Sequence, residues 1–152
     1  MPGIAAFDPG SPEARTLIAE LDAALLAITG DSGASSFDPD DVRGPGSVFL
    51  LARDAAGAPC GCGALRPLEG GVAELKRMYA RPGSGAGTRL LAALEAQARA
   101  LGYREIRLST RRINTRAVDF YRRHGYGEAP AWGKYVGSEV SVCLGRMLSR
   151  SA

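Results

Sequence analysis

The stretch Arg81-Pro82-Gly83-Ser84-Gly85-Ala86-Gly87 places three glycines at alternate positions directly ahead of an amphipathic segment. Glycine lets the backbone approach a ligand closely and take positive φ where a turn needs it. The first N–H groups of a helix lack intrahelical partners, and the helix dipole favours negative charge beside them. Such a turn suits a phosphate, a pyrophosphate or a carboxylate. A P-loop would require Lys-Ser or Lys-Thr after the last glycine, where this chain has Thr88-Arg89. A dinucleotide site would need the turn early in a βαβ unit and an acidic residue ending the next strand. Here that strand ends Leu108-Ser109-Thr110. Taken alone, the glycines also fit a plain tight connection.

The flanking segments supply the frame. Ser11-Pro12 reads as a cap followed by proline at the first helical position. Leu17, Ile18, Leu21, Leu25 and Ile28 recur at helical spacing up to Gly30. The ten residues before this helix are expected to be loosely attached. Residues 30–46 form a long loop with a short helical turn at Pro39 to Val42. Ser47 to Arg53, Pro59 to Leu68 and Val72 to Ala80 read as strands of an antiparallel meander. A helix from about Thr88 to Leu101 follows the glycine turn, then a strand from Arg104 to Thr110. That strand is reached by a helical crossover and is therefore parallel to its predecessor. Asn114 caps a further helix ending at Gly125, and strands near Tyr126–Ala129 and Glu139–Leu144 close the chain. The pattern predicts one α/β (mixed α+β) domain over residues 1–152, with six to seven strands and about four helices.

The segment Glu74 to Tyr126 resembles the core of the GNAT acetyltransferases. The likeness rests on the strand, glycine turn and helix in sequence, and on the later N-x-R-A-x-x-F-Y-x-x-x-G-Y block from Asn114 to Tyr126. It implies a mixed sheet of the GNAT type, and direct transfer of an acetyl group from acetyl-CoA to a primary amine without a covalent enzyme intermediate. It further implies that backbone groups of Ser84, Gly85, Ala86, Gly87 and Thr88 hold the cofactor's pyrophosphate. Met78, Tyr79 and Ala80 would lie along its pantetheine arm, and Asn114 would contact it from the helix cap. The turn departs from the family pattern: Pro82 falls where Gln or Arg is usual, Arg81 comes one residue early, and the loop is short. Arg81 and Arg89 are the candidates to compensate.

By the same resemblance Tyr121 is the general acid that protonates the departing sulfur. A phenol with a reference pKa of about 10 is a ready donor at neutral pH. The alternative is that Tyr121 only packs a helix face beside Phe120. Glu74 resembles the glutamate that serves relatives as base, and reads equally well as a salt-bridged strand residue. His124, the single histidine, stands at a helix end where it suits the dipole.

The acceptor is expected between the Gly30–Phe37 loop and Trp132-Gly133-Lys134-Tyr135. Asp31, Ser32, Phe37, Trp132 and Tyr135 are the candidate substrate-binding residues. Asp31, Asp38, Asp40 and Asp41 could draw a cationic amine, although each also suits turn and cap chemistry. The preferred acceptor is a small-molecule amine; a protein amine and a non-catalytic acetyl-CoA or CoA sensor are the alternatives.

Bulk properties narrow the field. A net charge of +3 over 152 residues suits a polyanionic cofactor and is too weak to argue for nucleic acid. No apolar run nears the ~20 residues of a membrane span, and the N-terminus lacks signal-peptide features, so a cytoplasmic location is expected. Cys60, Cys62 and Cys143 make an odd set, and C-x-C with one histidine is a poor zinc site. Neither a disulfide framework nor a metal is expected. The resemblance also implies a possible homodimer.

Overall fold

The computed structural model describes residues 3–33 and 37–148. Its α1 runs Pro12–Thr29, opened by Ser11, whose Oγ accepts from the Ala14 N–H at 3.3 Å, and closed by Gly30 at φ 78°. β2 (Val48–Arg53), β3 (Pro59–Glu69) and β4 (Val72–Ala80) form the antiparallel meander. α2 (Ala86–Ala100) crosses over to β5 (Glu105–Arg111), which pairs parallel with β4. α3 (Thr115–Arg123) is followed by β6 (Gly127–Glu128) and β7 (Ser141–Met147). Short 3-10 turns occupy Pro39–Val42 and Gly133–Tyr135.

Two details differ from the sequence expectation. The leading segment is not loose from residue 3 onward: Gly3–Ala6 form β1, paired from Gly3↔Arg53 to Ala6↔Leu50. The open edge of β2 offers N–H and C=O groups that need partners, and Ile4 packs on the core. Four residues are too few to show alternation. The last strand begins later than expected because its bounds follow its partner, from Arg111↔Ser141 to Glu105↔Met147. The result is a seven-stranded mixed sheet of order β1-β2-β3-β4-β5-β7-β6 with three α-helices.

Each face of the sheet carries its own core. Ala14 and Leu17 of α1 pack with Val42, Phe49, Leu51, Cys62 and Ala64. Leu90, Leu91, Leu94 and Ala98 of α2 pack with Leu65, Leu75, Ile106 and Tyr121 on the other side. Close approach of α2 explains two glycines of β3. A Cβ at Gly61 would lie 2.7 Å from Leu90 Cδ1 and 2.8 Å from the Tyr79 carbonyl oxygen. At Gly63 it would meet Leu94 Cδ1 at 2.7 Å and the Met78 sulfur at 2.9 Å. The intervening cysteines are packing residues, Cys60 in the α2 core and Cys62 in the α1 core. α2 is also anchored from its middle. Buried Glu95 accepts from the Tyr126 hydroxyl and from Arg146 Nη1, both at 2.9 Å.

The sheet is irregular at one point that matters for function. Cys62 pairs with Tyr79 but Ala64 with Lys76, so β4 carries one extra residue there. Within the bulge Arg77 adopts φ 55°, the single non-glycine with positive φ among the described residues.

Candidate active site

Parallel pairing of β4 and β5 extends only from Val72↔Glu105 to Glu74↔Arg107. Beyond that point the strands part, and Leu75 to Met78 face Leu108 to Arg111 across a cavity of about 350 Å³. The bulge gives the physical reason, since an added residue bends and twists the strand that holds it. Both strands run toward this cavity, so the segments after their C-terminal ends, the glycine turn and Asn114, come to the same edge of the sheet.

In the turn, the Ser84 N–H donates to the Arg81 carbonyl at 3.0 Å, and Gly83 and Gly85 take φ 76° and 69°. Gly85 is the N-cap of α2 and offers no side chain; the Ala86 N–H donates instead to Ser84 Oγ at 3.2 Å. Gly87 and Thr88 follow as the second and third residues of the helix, where N–H groups have no intrahelical acceptor. Arg81 is not turned toward these amides. Its guanidinium grips Glu20 of α1 at 2.9 and 2.7 Å, and the Tyr79 hydroxyl donates to the same carboxylate at 3.0 Å. The Tyr79 side chain therefore faces α1, and only its backbone is available on the β4 edge. Ala80 packs against the α2 core.

α3 meets α2 beside the turn. A Cβ at Gly87 would lie 3.4 Å from the Phe120 ring. His124 Nδ1 stands 2.7 Å from the Phe120 carbonyl and Nε2 3.3 Å from Thr88 Oγ1. With Nδ1 donating to the carbonyl, Nε2 accepts from the threonine hydroxyl. His124 is thus a tie between the two helix ends. Asn114 caps α3, its Oδ1 accepting from the Ala117 N–H at 3.3 Å, and also lines the cavity. Tyr121 is 7% exposed and lines the same cavity. Its phenol is pushed well above its usual range by burial, so the proton stays on the oxygen. Glu74, 6% exposed, lines the cavity with Arg66 Nε 4.0 Å from its carboxylate.

The cavity also collects Met78, Asp31, Phe37 and Tyr135 from the expected set. Burial raises the Tyr135 phenol as well. Trp132 does not line the cavity: it stands edge-to-face behind Tyr135, with ring centroids 5.4 Å apart. Ser32 contributes its carbonyl, 3.4 Å from the Arg77 guanidinium. The expected loop includes residues 34–36, which lie outside the described residues. Asp31 pairs with Arg111 at 2.9 Å, Asp38 caps the 3-10 turn, Asp40 pairs with Arg43, and Asp41 stands 3.8 Å from Arg66.

Sequence reasoning missed Lys76, Arg77, Ser109, Thr110 and Arg111, all in the cavity wall. Arg77 is the most deeply placed. Its side chain is 6% exposed and paired with Asp22 of α1 at 2.7 Å, with the Phe37 ring 5.6 Å from its guanidinium. Burial lowers the Lys76 ammonium below the usual lysine range, against the opposing pull of Glu74. The adjacent charges Lys76-Arg77 interrupt the pattern of β4 at the bulge, but such a pair also occurs in ordinary strands and does not by itself announce a cavity wall.

Parting central strands, a glycine turn at the end of one and a capped helix at the end of the other fit the acetyltransferase resemblance of the sequence. Residues 15–126 match the Acetyltransferase (GNAT) family, and the chain belongs to that family. It is 32% identical over 136 residues to the IAA acetyltransferase of Azospirillum brasilense, covering 87% of this chain and 88% of that protein. A Klebsiella pneumoniae crystal structure, provisionally named an acyl-CoA N-acyltransferase, is 33% identical with a TM-score of 0.81, covering 98% of this chain and 99% of the other. The fold is shared by an aminoglycoside 6′-N-acetyltransferase complexed with coenzyme A, at 16% identity and a TM-score of 0.72 over 99% of both chains. Among the described residues no helix is long and apolar enough to cross a membrane.

Proposed function

We propose that the protein transfers an acetyl group from acetyl-CoA to the amine of a small molecule held in the cavity between β4 and β5. The observation that carries this reading is the parting of those two strands beyond Glu74 and Arg107, with the glycine turn at the same edge. The turn suits a pyrophosphate: the α2 N-terminus has amides without intrahelical acceptors, no Cβ at Gly85 or Gly87, and no side-chain cap on Gly85. The coenzyme A complex of the aminoglycoside enzyme, which shares the fold, supports the same cofactor. Relatives named for IAA and for aminoglycosides support a small acceptor.

Bound acetyl-CoA supplies the activated thioester. Ser84 to Thr88 hold its phosphates, and the open edge of β4 near Met78 hydrogen-bonds its arm and polarises the acyl carbonyl. The amine nitrogen bonds to the acyl carbon as the carbon–sulfur bond breaks, and Tyr121 gives its proton to the departing sulfur. Glu74, directly or through water, takes the proton that the nitrogen loses. Placing both substrates side by side accounts for much of the acceleration.

Calorimetric titration with acetyl-CoA, using CoA and ATP as comparators, tests the reading. Saturable binding of acetyl-CoA and CoA but not ATP, with thiol release on adding amines, is expected. Binding without thiol release would favour a sensor, and no binding at millimolar ligand would remove the reading.

A further inference from the structure

The wall of the cavity carries more positive than negative charge. Lys76, Arg77, Arg111 and Lys134 line the cavity, against the carboxylates of Asp31 and Glu74. Counting the next neighbours, Asp22 beside Arg77, Arg66 beside Glu74 and Asp41 beside Arg66, narrows the excess without reversing it. The aspartates of residues 31–41 do not reverse it, since they are engaged in the ion pairs and caps described above. A polycationic acceptor would meet repulsion here.

Arg77 is set apart from the other cations. Its side chain is 6% exposed, and it makes one short bond, Nη2 to Asp22 at 2.7 Å. The contacts of Nη1 and Nη2 to the Ser32 carbonyl are both 3.4 Å, at the long limit of a hydrogen bond. Its Nε is a buried donor with no acceptor among the described residues. The same residue holds a left-handed backbone that costs energy for any side chain but glycine. A buried guanidinium with one donor left without an acceptor, on a strained bulge in the wall of a cavity, points to a role beyond stability.

We infer that the acceptor amine also carries a carboxylate, and that Arg77 is the residue that recognises it. This rests on the cavity being the site of acetyl transfer. A planar guanidinium matches a carboxylate in shape and charge better than an ammonium does. The cationic wall serves the chemistry too. It disfavours the protonated form of the acceptor nitrogen, which must be neutral to attack, while the carboxylate of the same molecule offsets the repulsion.

The experiment is thiol release with matched acceptors: α-, β- and γ-amino acids, aliphatic and aromatic, each beside its uncharged carboxamide, and spermidine as a polycation. Acids are expected to exceed their amides at least tenfold in kcat/KM. In Arg77→Gln the KM of the best acid rises tenfold or more while its amide changes less than threefold, and Arg77→Lys retains an intermediate preference. Acetyl-CoA binding by calorimetry stays unchanged in both variants. Preference for amides or spermidine, or no turnover of any acid, would overturn the inference. So would an equal loss for acid and amide in Arg77→Gln, since that marks a purely structural residue. Failure of acetyl-CoA to bind the wild-type protein would instead remove the underlying reading of the site.

Discussion

The glycine turn and the cavity beside it are built from different materials. At the turn the groups without intrahelical partners are backbone amides, and side chains there tie elements together, as His124 ties α3 to Thr88. The cavity wall instead collects charged side chains brought from far apart in the chain, such as Arg77 with Asp22 and Arg111 with Asp31. The turn is expected to tolerate changes of charge but not of shape, because the left-handed backbone at Gly83 and Gly85 strains any residue with a Cβ. The cavity wall is expected to do the reverse.

The sharpest test is at Tyr121, which lines the cavity. Tyr121→Phe should lower kcat by about 10²-fold or more while leaving acetyl-CoA affinity unaltered, the loss expected for a missing general acid. Burial raises the phenol's pKa, so the donating form persists upward in pH. Wild-type kcat should therefore show no alkaline loss near the ordinary tyrosine value of about 10. An unchanged kcat in the variant would reduce Tyr121 to a packing residue.

Shape changes come next. Gly61→Ala drives a Cβ against Leu90 and the Tyr79 carbonyl, and overpacking of this kind costs about 1–3 kcal/mol. A lower urea midpoint at constant slope, together with weaker acetyl-CoA binding, would show that the seat of α2 governs the turn. Gly85→Ala forces a left-handed backbone, φ 69°, on a residue with a Cβ. That costs about 1–2 kcal/mol and should weaken acetyl-CoA binding several-fold with little change in acceptor KM. His124→Ala removes one tie and should cost about 0.5–1.5 kcal/mol of stability. The smallest stability effect is expected in the charged wall. Arg111→Gln breaks a half-exposed pair with Asp31, and such pairs are worth about 1 kcal/mol or less. A large drop in melting temperature for Arg111→Gln, with none for Gly61→Ala, would invert the contrast between turn and wall.

The same contrast explains what the sequence disclosed. The turn, its strand and its helix lie within one continuous segment, and the Asn114 cap and Tyr121 share another. Local patterns of glycine, cap and apolar spacing therefore sufficed for most elements and for the backbone shape of the glycine turn. The charged wall depends on contacts between residues 55 and 80 positions apart and on a one-residue bulge. Neither leaves a periodic trace, so Arg77 and Arg111 were invisible while Trp132, a conspicuous residue type, was placed in a wall it does not form. The edge strand β1 was missed for a related reason: it exists because β2 offers an edge, not because Gly3–Ala6 favour extension.

The bulge in β4 has a chemical neighbour that can report on it. Cys62, fully buried on β3, donates its thiol to the Arg77 carbonyl at 3.4 Å, and burial pushes its pKa up to about 12. A thiolate-seeking reagent cannot modify it while α1 covers that face of the sheet. With Cys60 and Cys143 replaced by alanine, the rate of labelling becomes a clock for the lifting of α1 from the sheet that carries the bulge. Slowing of that clock by a bound acceptor would measure, without any turnover, how firmly the ligand clamps α1 to the strand it rests on.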